Sequence, residues 1–190
     1  RNRTKGDRAE NLEKAIEAYQ LALKVYTKKD FPMQWATTQN NLGNALRERI
    51  RGDRTENLER AIAAYNAALE VYTRADFPVD WAMIQSNLGI ALRERIRGDR
   101  AGNLDQAIVA FQAALEVYTR ADFHVRWATI QNNLGNTLRK RIRGNRGENL
   151  EQAIAAYTAS LEVRTRTDFP VEWAMTLNNL GNAYRNRVQD

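Results

Sequence analysis

Trp35, Trp81, Trp127 and Trp173 stand 46 residues apart, and much of the chain around them recurs at that interval. Gly6, Gly52, Gly98 and Gly144 keep it, as do Gly43, Gly89, Gly135 and Gly181. The sequence is therefore one supersecondary unit copied about four times, over residues 6–51, 52–97, 98–143 and 144–190. A unit of that size cannot bury its own apolar face, so neighbours must stack. The expectation is a single all-α solenoid over residues 1–190. Copies two and three agree at 32 of 46 positions, the mark of a recent duplication, so a residue kept in every copy is only modest evidence of need.

Composition narrows function by exclusion. There is no Cys, which removes disulfides, thiol nucleophiles and thiolate metal sites. One His, His124, cannot make a His-based metal cluster. No nucleophile–base constellation is visible, so neither an enzyme nor a cofactor is expected. No apolar run approaches the roughly 20 residues of a membrane span, and no signal-peptide pattern opens the chain, which points to a soluble cytoplasmic protein. The Asn2-Arg3-Thr4 sequon has nothing else to suggest secretion. The repeat begins in mid-unit at Arg1 and reads as a fragment of something longer.

Within a unit, Pro32 opens a helix, because its fixed φ suits a first helical position. Trp35, Leu42, Ala45, Leu46 and Ile50 follow on one helical stripe. Arg47 to Arg51 and then Gly52 read as a stop: cations at the negative end of the helix dipole, then a residue tolerant of positive φ. After a polar connection, with Thr55 or Asn57 as the expected cap, a second helix carries a broad Ala-rich arc ending near Ala75. We term the Trp-bearing helix A and the Ala-rich helix B. The predicted order is B-A-B-A-B-A-B-A, eight helices of roughly 17–21 residues. The four Trp read as core aromatics, and His124, standing where the other copies have Pro, as exposed.

Leu180-Gly181-Asn182-Ala183-Tyr184 resembles the Leu-Gly-x2-Tyr of a tetratricopeptide helix A. The small-x3-aromatic-x2-small pattern of helix B recurs at Ala15, Tyr19, Ala22; at Ala61, Tyr65, Ala68; at Ala107, Phe111, Ala114; and at Ala153, Tyr157, Ser160. The unit is twelve residues longer than the family's usual 34. In that length, and in Asn-Asn-Leu-Gly-Asn, it is similar to the arrays of kinesin light chains and to those preceding caspase-like peptidase domains. Without Cys it would be the array without the peptidase.

The resemblance implies a right-handed superhelix of antiparallel helix pairs. It also implies a non-enzymatic scaffold binding an extended peptide or a helix of a partner protein in a concave groove lined by helix A. Alternatives are a self-associating solenoid stacked end to end, and the sensor or regulatory array of a larger signalling or peptidase protein. On helix A a second stripe beside the core holds the candidate site. Asn41, Asn87, Asn133 and Asn179 precede Leu-Gly and are similar to the groove asparagines of the O-GlcNAc transferase array. Asn40, Asn44, Asn132, Asn136, Asn178 and Asn182, with Arg47, Arg93 and Arg139, complete it, and Met83 and Met175 read as gap-fillers or groove contacts. A carboxamide pairs a donor with an acceptor, matching a peptide backbone. The competing reading has the same amides satisfied inside the protein.

Net charge is +6, from 29 basic and 23 acidic side chains. Arg47, Arg49, Arg51, Arg54 and their counterparts read first as dipole compensation and as partners of Glu48, Asp53 and Glu56. No aromatics interleave the arginines, so nucleic acid is not an expected partner. The first complete helix is a B and the last an A, so apolar surface is expected at both ends, where copies could dock head to tail. Arg164, in place of Tyr26, Tyr72 and Tyr118, and the polar residues Asn186, Gln189 and Asp190 hint instead at a partial terminus.

Overall fold

The computed structural model describes residues 7–187. Over them the chain is an all-α repeat solenoid with no strand. Its helices are α1 (Arg8–Ala22), α2 (Pro32–Glu48), α3 (Arg54–Leu69), α4 (Pro78–Glu94), α5 (Arg100–Leu115), α6 (Arg120–Lys140), α7 (Arg146–Leu161) and α8 (Pro170–Arg187). They fall into two compact units, residues 1–97 and 98–190. In the first, α1 packs on α2, α2 most extensively on α3, and α3 on α4; α2 also touches α4 directly. The second repeats this with α5 to α8, and α6 touches α8.

Each helix B starts on a side-chain cap that differs from the one expected. Asp53 Oδ1 accepts from the Glu56 amide at 2.8 Å, and Asn145 Oδ1 from that of Glu148 at 3.0 Å. Asp7 and Asp99 cap α1 and α5 in the same way. The helix therefore begins four residues before Leu58, and neither Thr55 nor Asn57 is the cap. Asn57 is buried and closes the connecting loop: its Nδ2 donates to the Arg51 carbonyl at 2.9 Å while its Oδ1 accepts from Arg49 at 3.3 Å. Asn149 does the same for Arg143 and Arg141. Gly52, Gly98 and Gly144 turn the chain here at φ of +78, +83 and +82°, a conformation that costs a side-chain-bearing residue dearly.

Helix B also ends sooner than Ala75, at Leu69, Leu115 and Leu161 in the last three copies. In the turn that follows, Thr73 Oγ1 donates to Asp76 Oδ2 at 2.7 Å and accepts from the Asp76 amide at 3.2 Å. Thr27–Asp30, Thr119–Asp122 and Thr165–Asp168 repeat the motif. Such local bonds compete with helix, which is why B helices run 15 or 16 residues. Before helix A, Phe31 and Phe77 take φ of −138 and −136° with ψ of 60°, outside the α region that a following Pro disfavours. Phe123 takes nearly the same angles ahead of His124, so α6 passes through a kink and its helix A portion starts beyond it. His124 is exposed.

The core of each unit is the seam between helix A and the following helix B. Leu46, Leu58, Ala61, Tyr65 and Ala68 are sealed from solvent in the first, and Leu138, Leu150, Ala153, Tyr157 and Ser160 in the second. Gly43 makes the approach possible: an added Cβ there would lie 2.7 Å from Tyr65 Cε1. Gly135 stands likewise against Tyr157, at 2.8 Å.

Candidate functional site

The asparagines of helix A divide into three rows with different partners. Asn87 and Asn179 are half-buried, and each reaches back to the helix A one repeat earlier. Asn87 Nδ2 donates to Asn40 Oδ1 at 3.0 Å, and Asn179 Nδ2 to Asn132 Oδ1 at 3.2 Å. Asn40 and Asn132 are only 4% and 8% exposed. Groove exposure was expected of both, and the structure corrects this: their carbonyl oxygens are taken up inside the repeat. Asn41 and Asn133 are half-buried.

The row beyond Leu-Gly is also engaged. Tyr65 Oη donates to Asn44 Oδ1 at 2.8 Å, and Tyr157 Oη to Asn136 Oδ1 at 2.9 Å. A buried phenol needs such an acceptor. Burial pushes the Tyr65 hydroxyl up to about 12, the charge of nearby Arg47 acting the other way. Asn178 is exposed and Asn182 half-buried on α8.

Arg47, Arg93 and Arg139 are half-buried. Arg47 Nη2 donates to Glu48 at 3.2 Å, its Nη1 lies 4.0 Å from Glu94, and Nε is buried without a hydrogen-bond partner, as is Arg139 Nε. Arg54 joins the same cluster, donating to the Arg47 carbonyl and pairing with Glu94 at 2.6 Å.

Two recurrent features were missed in reading the sequence. Arg49 clasps Glu13 with bonds of 2.8 and 2.6 Å, and Arg95 clasps Glu59 with bonds of 2.8 and 2.7 Å. Arg141–Asp105 and Arg187–Glu151 are the equivalents in the second unit. Each ties the start of a helix B to the end of the next helix A, not to the acids Glu48, Asp53 and Glu56 first proposed for these arginines. The Arg hydrogen bonds hold the Glu13 and Glu59 carboxyls below the usual carboxylate range, against some desolvation. Secondly, Lys28, Arg74, Arg120 and Arg166 lie over Trp35, Trp81, Trp127 and Trp173 at 5.8–6.0 Å from the ring centre. The Trp are half-buried under these cations instead of wholly in the core. Both sets of partners keep the 46-residue period, which is the signal that could have revealed them.

In the last copy Arg164 occupies the place of Tyr72. It is half-buried and donates to Thr176 Oγ1 at 3.1 Å and Thr129 Oγ1 at 3.0 Å. Desolvation lowers its pKa from the usual guanidinium range. No helix among the described residues is long and apolar enough to cross a membrane.

Comparison with known proteins agrees with this architecture. The family model for the tetratricopeptide repeat (TPR_10) matches residues 35–78 and 127–168. Among solved structures, the crystal structure of BtubC (BKLC) from P. vanneervenii is similar over 96% of this chain and 84% of that one, with a TM-score of 0.56 at 17% identity. At that identity the likeness is one of fold. A search of curated proteins returned no match to the sequence. Tetratricopeptide repeats generally serve as protein-interaction scaffolds. The two matched segments lie a repeat pair apart in a chain of 46-residue helical hairpins, and over those segments the chain is similar to the tetratricopeptide repeat.

Proposed function

We propose that the chain is a scaffold that holds an extended segment of a partner protein along the helix A face of a unit. The observation that carries this reading is the pinned amide of Asn87, and of Asn179 in the second unit. Each gives an N–H to the preceding repeat, which fixes the side chain's orientation. Its Oδ1 is left uncommitted among the described residues and can accept from a peptide N–H. Recognition of this kind reads backbone more than side chains, as a general scaffold requires. Exposed apolar residues of the A helices, Met33 on α2 and Val171 and Met175 on α8, supply apolar contact of an adaptable kind.

The test is a peptide selected from a random library on the intact chain and then scanned by backbone N-methylation. Methylating the N–H that meets Asn87 or Asn179 should weaken binding about tenfold, the worth of one hydrogen bond near 1.4 kcal/mol. Asn87→Ala should weaken the same peptide. It should also lower stability by about 1–3 kcal/mol, because the buried Asn40 acceptor loses its donor. Affinities that stay flat across the N-methyl scan would sink the reading.

A further inference from the structure

Each unit brings two arginines together at the end of one helix A, and the two units neutralise them differently. In the first unit Arg54 donates to the Arg47 carbonyl, which holds both side chains in one cluster. Glu94 pairs with Arg54 at 2.6 Å and lies 4.0 Å from Arg47, while Glu48 pairs with Arg47 at 3.2 Å. Two cations thus face two carboxylates, and all four groups belong to α2, α3 and α4.

Two repeats later the arginines remain and the carboxylates do not. Arg146 Nη1 donates to the Arg139 carbonyl at 2.7 Å, the counterpart of the bond between Arg54 and Arg47. Lys140 stands in the place of Glu48, and Asn186 in the place of Glu94. The four positions therefore change from two cations and two anions to three cations and no anion. No ion pair joins Arg139 or Arg146 to a carboxylate among the described residues. The difference is one of residue type: α6, α7 and α8 are the counterparts of α2, α3 and α4, so every helix that supplies the first cluster is present at the second. Lys140 and Arg146 are exposed and Arg139 is half-buried, which leaves the second cluster open to a ligand.

We infer that the Arg139–Arg146 cluster binds a phosphate monoester. Relative to the first unit, two negative charges have been taken from one place. A monoester carries about −1.5 to −2 near neutral pH on three strong acceptor oxygens. A single carboxylate brings one charge and two oxygens, which one guanidinium fork already satisfies. Two guanidinium groups with the Lys140 ammonium match the larger set of acceptors, and the Asn186 amide can donate where Glu94 accepts in the first unit. Such a group reaches the site on a phosphorylated side chain of a partner protein or as free phosphate.

NMR titration of the intact chain at constant ionic strength, following the arginine side-chain N–H signals, tests this with two probes: inorganic phosphate and a glycine-flanked phosphoserine peptide. Both should bind, and the same peptide with Glu in place of phosphoserine should bind at least tenfold more weakly. A phosphopeptide that binds tighter than phosphate makes a partner protein the source, and one that binds no tighter makes it free phosphate. Asn186→Glu and Lys140→Glu each restore a residue of the first unit. Each should weaken phosphate binding at least tenfold and melt at or above the wild-type temperature, because the arginines regain a carboxylate. Arg146→Gln, at an exposed position, should weaken binding as much without that gain. Absence of binding by both probes, a Glu peptide that binds as tightly as the phosphopeptide, or phosphate binding that Asn186→Glu leaves unchanged overturns the proposal. No variant touches the Asn87 or Asn179 amide, and neither probe is the selected peptide, so this outcome is independent of the groove reading.

Discussion

Gly43 and Gly181 hold equivalent places in the repeat and differ in what surrounds them. Beside Gly43 the Tyr65 ring is fully buried and has no room to retreat from a Cβ 2.7 Å away. Gly43→Ala is expected to cost about 1–2 kcal/mol, overpacking outweighing the helix propensity of Ala. Gly181→Ala meets nothing and should be neutral or stabilising by up to about 1 kcal/mol. Thermal melts of the two variants, side by side, check the pair, and equal effects would show that the Tyr65 contact does not decide the glycine. At this scale the sequence revealed that Gly recurs, but could not say which copies need it. The need comes from a ring 22 residues away that is brought close only by packing. The carboxamides are similar. Their types were legible, yet Asn40 and Asn132 proved buried because the next repeat's Asn-Leu-Gly segment lies against them.

Helices here are joined by clasps as well as by apolar seams. Glu59 and Arg95 tie the second turn of α3 to the end of α4 through two short hydrogen bonds. The Glu59 carboxyl is held below its usual range mainly by the Arg95 bond. A depressed carboxyl stabilises the fold at pH values above its unfolded pKa. That contribution is lost as pH falls through the folded value. Glu59→Gln should therefore cost under about 1 kcal/mol near neutral pH, given the partial exposure of the pair. The difference from wild type should close on acidification toward about pH 3. Urea denaturation at both pH values measures it, and a difference unchanged by acid would show that the clasp contributes no charge-dependent stability. Helix existence was evident from the 3.6-residue stripes, and Pro32 and Gly52 marked a start and a turn. The ends of helix B were not evident, since Asp53 and the Thr73–Asp76 pair outcompete the apolar pattern that continues on either side.

Taken whole, the chain carries +6 and arginines that recur with each repeat. Yet Arg49, Arg54, Arg95, Arg141 and Arg143 are all committed to carboxylates of their own molecule. A charge already paired releases few counterions from a phosphate backbone. Binding to a short DNA duplex at low salt is therefore expected to be weak, and its salt dependence shallow in a titration by fluorescence anisotropy. Tight binding with a slope of several ions would mean that the arginines exchange partners freely. Net charge was legible from composition, but its availability was not, because the acids that neutralise it lie 36 to 44 residues away.

The chain of residues by itself determined the repeat, the helical hairpin and the glycine turns between helices. Those follow from short-range rules, backbone dihedrals and side-chain periodicity, that act within a few residues. Tertiary structure alone decided which amide meets which carbonyl, which carboxylate each paired arginine clasps, and where a recurring glycine faces a ring or an open space. Those outcomes depend on groups one repeat apart, and stacking alone sets their distances.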